Sequence, residues 1–315
     1  MTLLRTVFMG SPPFAATLLD HLCKNGFTPL LVITQKPKPS GRGREMQPTA
    51  VQVKADKLGI KTVATGDANG PSIIQTIRAI HPDIIMVAAF GQIFKSELLA
   101  LPHFFCLNVH ASLLPQYRGA APIQWAVWNG ERKTGITIQR MTPRLDAGDI
   151  LMQRSVEITS DDTSETLLSK LADTGAGCLL DALRLCQKNQ AKFTPQDESK
   201  ASLAPKILKE HAAIDWNDGS DHIHNQIRAL QPWPVSIAQL GRTRLKIFAS
   251  TVREKHAGTP GEIITDSKTY LSVICGDKHL LSLTELQLEN RKRLSIREFL
   301  SAYRGIFPFQ RMEPL

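Results

Sequence analysis

Four short apolar runs in the first 111 residues constrain the fold of this chain most. They are LLRTVFMG (3–10), PLLVITQ (29–35), PDIIMVAAFG (82–91) and FFCLNVHA (104–111), each bounded by Pro, Gly or polar residues. None shows a clean polar/apolar alternation, which is the pattern of strands buried on both faces in a parallel sheet covered by helices. Helical patterns lie between them, such as FAATLLDHLCKNG (14–26), which places Gly26 just past the helix end. Strand and helix alternate, so the fold class is α/β, with a doubly wound, mostly parallel sheet. Ligands of such sheets sit beyond the carboxyl ends of the strands. Val87 to Gly91 and Asn108 to Ala111 are two such ends.

Beyond residue 130 the pattern continues and then changes. TGITIQRM (134–141) alternates like a further strand, RLDAGDI (144–150) reads as a turn, and 161–187 is a long amphipathic helix with Asp162 or Thr163 as cap. Residues 189–206, NQAKFTPQDESKASLAPK, are polar and interrupted by prolines, the composition of a linker. From 207 onward, short β-prone segments recur about every ten residues, which predicts a small antiparallel barrel of the OB-like kind or a sandwich. The expected organisation is therefore a first domain over 1–188, a linker over 189–206 and a β-barrel domain over 207–315.

Composition bounds the partners. Five scattered cysteines, with no C-x-x-C pair, argue against a disulfide framework or a zinc knuckle and fit a reducing cytoplasm. The amino-terminal apolar run is broken at Gly10, too early for a signal peptide or a spanning helix, so no membrane partner is expected. A net charge of +9 makes a polyanionic partner plausible. The excess is concentrated between 36 and 61, where Lys36, Lys38, Arg42, Arg44, Lys54, Lys57 and Lys61 face only Glu45 and Asp56.

Chemistry concentrates in CLNVHASLLPQYRGAAPIQWAVWNG, 106–130. Asn108 and His110 are two apart on a predicted strand, so both side chains leave the same face at its carboxyl end. An amide N–H can donate to a carbonyl oxygen as charge builds on it, and an imidazole can take a proton from an attacking amine, a pairing suited to acyl transfer without a covalent intermediate. A third, acidic partner is expected to orient the imidazole. Asp146 in LDAGD is the candidate, with Asp149 as its rival. Leu113 and Leu114, on a loop stiffened by Pro115, suit one wall of a pocket for a flat ring, or else close the core. Other chemistries fare worse: the first β-α turn, GSPPFA, has neither a G-x-G-x-x-G nor a Walker lysine, Ser112 lacks a nucleophile elbow, and His222 and His224 lack a third ligand, so no metal is expected.

These residues resemble the formyltransferases that use 10-formyltetrahydrofolate. NVHASLLPQYRGAAPIQWAVWNG followed by LDAGD matches that family's hallmark, and the likeness runs over nearly the whole chain, fading in the last twenty or so residues. The resemblance implies a catalytic trio of Asn108, His110 and Asp146, and a folate-contacting loop of Ser112, Leu113, Leu114 and Pro115. It implies that the strand end Val87, Ala88, Ala89, Phe90 and Gly91 receives the pterin ring, with Phe90 where many members have Tyr and Ala111 where many have Gly. The basic insertion KPKPSGRGREMQPTAV (36–51), the IDW at 214–216 and the PWP at 232–234 are similar to the members that formylate initiator methionyl-tRNA. That likeness implies RNA contacts by Lys38, Arg42 and Arg44, a cytoplasmic location and no metal, and a monomer is expected. A sugar-nucleotide formyltransferase or a formyltetrahydrofolate hydrolase would keep the same trio without needing the insertion.

Overall fold

The computed structural model describes residues 4–40, 45–241, 243–303 and 311–313. Two compact units emerge. The first contains, in chain order, β1 (Thr6–Gly10), α1 (Pro13–Lys24), β2 (Leu31–Gln35), β3 (Lys38–Ser40), β4 (Glu45–Gln47), α2 (Ala50–Lys57), β5 (Thr62–Thr65), α3 (Pro71–Arg78), β6 (Ile84–Ala88), α4 (Ser96–Leu99), β7 (Phe105–His110) and β8 (Arg118–Gly119). After α5 (Pro122–Trp128) come β9 (Lys133–Arg140), β10 (Ile150–Glu157), α6 (Ser164–Gln187) and β11 (Leu203–Ala204).

The four apolar runs of the sequence are β1, β2, β6 and β7. Together with β5 they form the parallel part of a seven-stranded sheet of order β10-β9-β7-β6-β1-β2-β5. Every residue of β1 and β6 is buried. Val7, Met9, Ile33, Ile85 and Val87 pack one face against Ile73, Ile74 and Ile77 of α3. Burial on both faces is what an unbroken apolar run permits, and each such side chain contributes about 1.5–3 kcal/mol when removed from water. The parallel strands run, by chain order, 3-2-1-4-5 across the sheet, so the crevice of the reversal opens at the carboxyl ends of β1 and β6. Beyond β7 the sheet is extended by β9 and β10, both antiparallel to their neighbours. The amphipathic helix predicted at 161–187 is α6, and its cap is Thr163, whose hydroxyl accepts from Thr166 N at 3.2 Å.

The second unit holds α7 (Ser220–Ala229), β12 (Ser236–Leu240), β13 (Thr243–Lys255), β14 (Ile263–Thr265), β15 (Leu271–Ile274), β16 (His279–Leu288), β17 (Leu294–Ser295) and α8 (Ile296–Ala302). Its antiparallel sheet runs β12-β13-β16-β15-β14, with β17 on β16. Residues 311–313 bridge Gln239 of β12 on one side and Glu262, just ahead of β14, on the other, which joins the two edges of the sheet into a barrel. Trp216, Phe299 and Met312 are buried in its core with Ile223 and Ile227 of α7.

The units are not the three consecutive blocks that composition suggests. The first takes residues up to 122, 133–157 and 168–205; the second takes 123–132 and 158–167 together with everything from 206. α5 belongs to the second unit because Trp128 donates to His222 Nε2 at 3.2 Å and both Trp125 and Trp128 meet the ring of His211 edge-on. Residues 189–206 do not behave as a tether: Thr194 bonds Ile150 in both directions, and β11 pairs in parallel with β8. Among the described residues, no helix is long and apolar enough to cross a membrane.

In the second unit, His224 of α7 is half-buried, with Nδ1 3.0 Å from the Ser250 hydroxyl. Burial first, and then the charge of Arg228, push its imidazole below its ordinary value of 6.5. Below about pH 6.5 the unfolded chain therefore takes up a proton that the folded chain refuses, so this group lowers stability as pH falls through that value. Between pH 7 and 5, Tm of the native chain is expected to fall further than Tm of His224→Gln, each referred to its own value at pH 7. Parallel curves in differential scanning calorimetry would show that His224 is not the group responsible.

Candidate active site

The site is built where β7 meets β9. Their antiparallel register sets Asn108 opposite Gln139 and His110 opposite Thr137, so four polar side chains share one face of the sheet at the carboxyl end of β7. Thr137 and Gln139 are buried, as is His110. Cys106, two residues upstream on the same strand, is also buried, and burial pushes its thiol up to about 12, which makes it inert as a nucleophile.

Asp146 joins this patch from the β9–β10 turn. One carboxylate oxygen, Oδ1, accepts from Gln139 Nε2 at 2.9 Å and from Asn108 Nδ2 at 3.4 Å. The other, Oδ2, accepts from the Gly119 backbone N–H at 3.0 Å and lies 3.6 Å from His110 Nδ1. Asp146, not Asp149, is thus the acid beside the imidazole. It is 10% exposed and holds φ at +48°, a region that Asp tolerates better than most residues because its short side chain can bond locally.

His110 differs in one respect from the reading that an acid orients its ring. Nε2 lies 2.9 Å from the Tyr117 carbonyl oxygen, which makes the backbone its anchor and requires the proton on Nε2. Nδ1 is then the nitrogen turned toward Asp146. The contacts of Asp146 with Asn108 and with His110, at 3.4 and 3.6 Å, are longer than good hydrogen bonds, so neither the Asn108 amide nor His110 Nδ1 is firmly committed to the carboxylate.

The loop after β7 is held from β9 and β10. Thr137 Oγ1 donates to the Ser112 carbonyl at 2.7 Å and accepts from Leu114 N at 3.0 Å, while Gln153 Nε2 donates to the Leu114 carbonyl at 2.8 Å. Ser112 is fully buried and its hydroxyl donates to the Gln116 carbonyl at 2.6 Å. Leu114 is buried in the core, whereas Leu113 and Pro115 are half-buried and stand at the surface of the loop. Of the two leucines, Leu114 closes the core and Leu113 is available as a wall.

At the end of β6, Val87 pairs with Asn108 and Ala88 with Gly10. Ala89 and Gly91 are exposed and both have positive φ, 45° and 78°, so the backbone of this strand end is open. Phe90 turns its ring away from this strand end: it is 2% exposed and packed edge-on to Phe94 in the core. Only its backbone is available, and its carbonyl accepts from Gln35 Nε2 at 2.6 Å. Lys38 of the basic insertion is exposed and donates to Gln35 Oε1 at 2.5 Å; Arg42 and Arg44 lie outside the described residues.

Residues that the sequence did not single out complete the arrangement. Gln139 and Thr137 were foreshadowed only by their period of two in TGITIQRM. Gln196 and Ser202 lie in the polar segment read as a linker. Gln196 Nε2 donates to the carbonyls of Asp146 and Gly148 at 2.9 and 2.7 Å. The buried guanidinium of Arg118 is held by Gln196 Oε1 and by both oxygens of Glu198, at 2.7 to 3.1 Å, and it holds the Glu198 carboxyl below its ordinary range.

The Asp146 turn depends on Gly148, where a Cβ would lie 1.7 Å from the Arg140 carbonyl oxygen. Gly148→Ala is expected to displace the turn, at an overpacking cost of about 1–3 kcal/mol, and to lower kcat by about a hundredfold, because a misplacement near 1 Å suffices for that. Normal turnover with normal Tm would show that the turn does not need this approach.

The chain matches the family described as Formyl transferase over residues 4–183 and the Formyl transferase C-terminal domain over 206–304. It is 41% identical to the methionyl-tRNA formyltransferase of Geobacillus thermodenitrificans over 295 residues, covering 93% of this chain and 92% of that one. To the methionyl-tRNA formyltransferase of Citrifermentans bemidjiense it is 39% identical over 304 residues, covering 96% and 95%. The solved structure of WlaRD, a sugar 3N-formyl transferase in the presence of dTDP and 5-N-formyl-THF, has the same fold, with a TM-score of 0.68 at 22% identity over 93% of this chain and all of that one.

Proposed function

The chain belongs to the methionyl-tRNA formyltransferase family, and on that premise we propose that it moves the formyl group of 10-formyltetrahydrofolate onto the α-amino group of initiator methionyl-tRNA through Asn108, His110 and Asp146. The observation that carries this reading is the convergence of the Asn108 amide and His110 Nδ1 on the two oxygens of the Asp146 carboxylate, through contacts of 3.4 and 3.6 Å that are longer than good hydrogen bonds.

As the amine attacks the formyl carbon, Asn108 Nδ2 and a His110 protonated at Nδ1 donate to the oxygen on which charge develops. Asp146 beside Nδ1 stabilises that second proton, much as a carboxylate does for the imidazole of a triad. The amine N–C bond forms and the bond from the formyl carbon to the folate nitrogen breaks. The proton shed by the amine passes through Asp146 and His110 to the departing nitrogen. Leu113, Pro115 and the open backbone of Ala89 and Gly91 suit the two sides of a flat ring, and Ser112, Leu114, Val87, Ala88 and Phe90 set their positions.

Asn108→Ala is expected to lower kcat by about 10²- to 10³-fold, the usual effect of losing one oxyanion donor. Transfer of formyl from labelled folate to charged initiator tRNA measures it, and near-native turnover would remove Asn108 from this role. The same assay with an amino-sugar nucleotide, or with water as acceptor, separates this function from a sugar-nucleotide formyltransferase or a hydrolase.

The basic cluster in the insertion supports tRNA as the acceptor, and a charged tRNA as substrate is consistent with a reaction in the cytoplasm. Lys38, Arg42 and Arg44 contact phosphates or the splayed acceptor end, since guanidinium groups bond phosphate oxygens and stack on bases. Arg42→Ala is expected to raise the KM for tRNA or lower turnover, with the KM for folate unchanged. Kinetics indifferent to that change at moderate salt would overturn the contact.

A further inference from the structure

Residues 194–204 thread past both arms of the site. On one side Gln196 donates to the carbonyls of Asp146 and Gly148 and stands 3.4 Å from Gln139 Oε1, while Gln139 donates to the Asp146 carboxylate. On the other side the Ser202 hydroxyl accepts from Tyr117 N at 2.9 Å, and the Ser202 carbonyl accepts from Arg118 N at 2.8 Å. Tyr117 holds φ at +61° and presents the carbonyl against which His110 Nε2 is anchored. Gly119, which follows, donates its N–H to Asp146 Oδ2, and a Cβ there would lie 2.5 Å from the Ala204 carbonyl oxygen. One segment therefore bears on His110 and on Asp146, through a backbone carbonyl in the first case and through two in the second.

We propose that residues 194–204 are a positioning strap for the transfer reaction, in which Gln196 sets the Asp146 turn and Ser202 sets the Tyr117 carbonyl that anchors His110, while Gln139 of β9, beside Gln196, aims the Asp146 carboxylate. This inference rests on the trio proposed above. The physical case is the combination of a costly backbone with specific ties. Tyr117 and Asp146 both occupy the left-handed region, which persists in non-glycine residues only where surrounding contacts over-determine it. Gln196, on the Asp146 carbonyl, and Ser202, on Tyr117 N, are among the contacts that hold them. The Arg118 guanidinium, gripping Gln196 and Glu198 together, fixes the strap itself. None of these three positioning residues touches the reacting atoms, so each acts through His110 or Asp146.

The test uses the full chain with 10-formyltetrahydrofolate and charged initiator tRNA. Gln196→Met and Gln139→Met keep length and lose the amide; Ser202→Ala loses the hydroxyl, and Ser202→Thr restores it. Gln196→Met, Gln139→Met and Ser202→Ala are expected to lower kcat by about tenfold to a hundredfold with both KM values within about twofold of native, the signature of a geometry needed in the transition state and not of binding. Ser202→Thr is expected to recover most of the loss. Variants whose kcat is native, whose loss appears only in KM, or whose kcat falls only in proportion to folded fraction would overturn the strap. A second readout needs no turnover. In the substrate-free protein labelled with ¹⁵N-histidine, the protonated Nε2 signal of His110, assigned by its loss in His110→Gln, is expected to shift and exchange faster in Ser202→Ala. An unchanged signal would overturn the Ser202 arm even if kcat falls. A native chain that formylates some other amine and not methionyl-tRNA would sink the proposed function alone, because the same comparison of variants applies with that acceptor.

Discussion

Antiparallel pairing of β9 against β7 is the constraint on which this site depends. It sets Gln139 beside Asn108 and Thr137 beside His110 on a shared face. A slip of one residue would turn Thr137 and Gln139 to the opposite face and bring Ile136 and Ile138 to the site. The register also determines where the loops on either side are fastened. Thr137 grips the Ser112–Leu114 loop, and Gln139 grips the Asp146 carboxylate, so one strand aims groups that belong to two different connections.

The electrostatics follow from that frame. A carboxylate that is 10% exposed would be costly without donors, and Asp146 has them in the Gly119 N–H, Gln139 and Asn108, with His110 alongside. Two of these are firm and two are long. The firm pair, Gly119 and Gln139, holds the carboxylate in place, while the long pair, Asn108 and His110, consists of the groups given chemical roles. The carboxylate is therefore fixed by groups to which no reaction step is given, and its contacts with the two proposed participants are the loose ones.

Much of this was legible in the sequence, for identifiable reasons. Unbroken apolar runs require burial on both faces, so β1, β2, β6 and β7 could be read directly, and short regular β segments announced the antiparallel second unit. Asn108 and His110 stood out because polar side chains on one face at the end of a buried strand are costly unless a cap or a ligand satisfies them. Phe90 illustrates the limit. Its place beyond a strand end is visible in the chain, but whether its ring turns to the crevice or to Phe94 depends on packing that no local pattern encodes. The stretch 189–206 shows the limit more sharply. Polar residues and prolines look the same whether they are solvated in a tether or satisfied by another segment's backbone, so Gln196 and Ser202 carried no local signal.

The chain by itself determined the alternation of strands and helices, the period-two pairing of Asn108 with His110, the turn that carries Asp146 and the basic insertion, because each is a property of consecutive residues and the geometry of a single element. Tertiary structure alone decided which oxygen anchors His110, which side chains hold Asp146, and that residues after α6 return to β8 to hold both. Those contacts join positions up to 85 residues apart, and hydrogen bonds across such separations are selected by the fold as a whole, not by propensities within any one stretch.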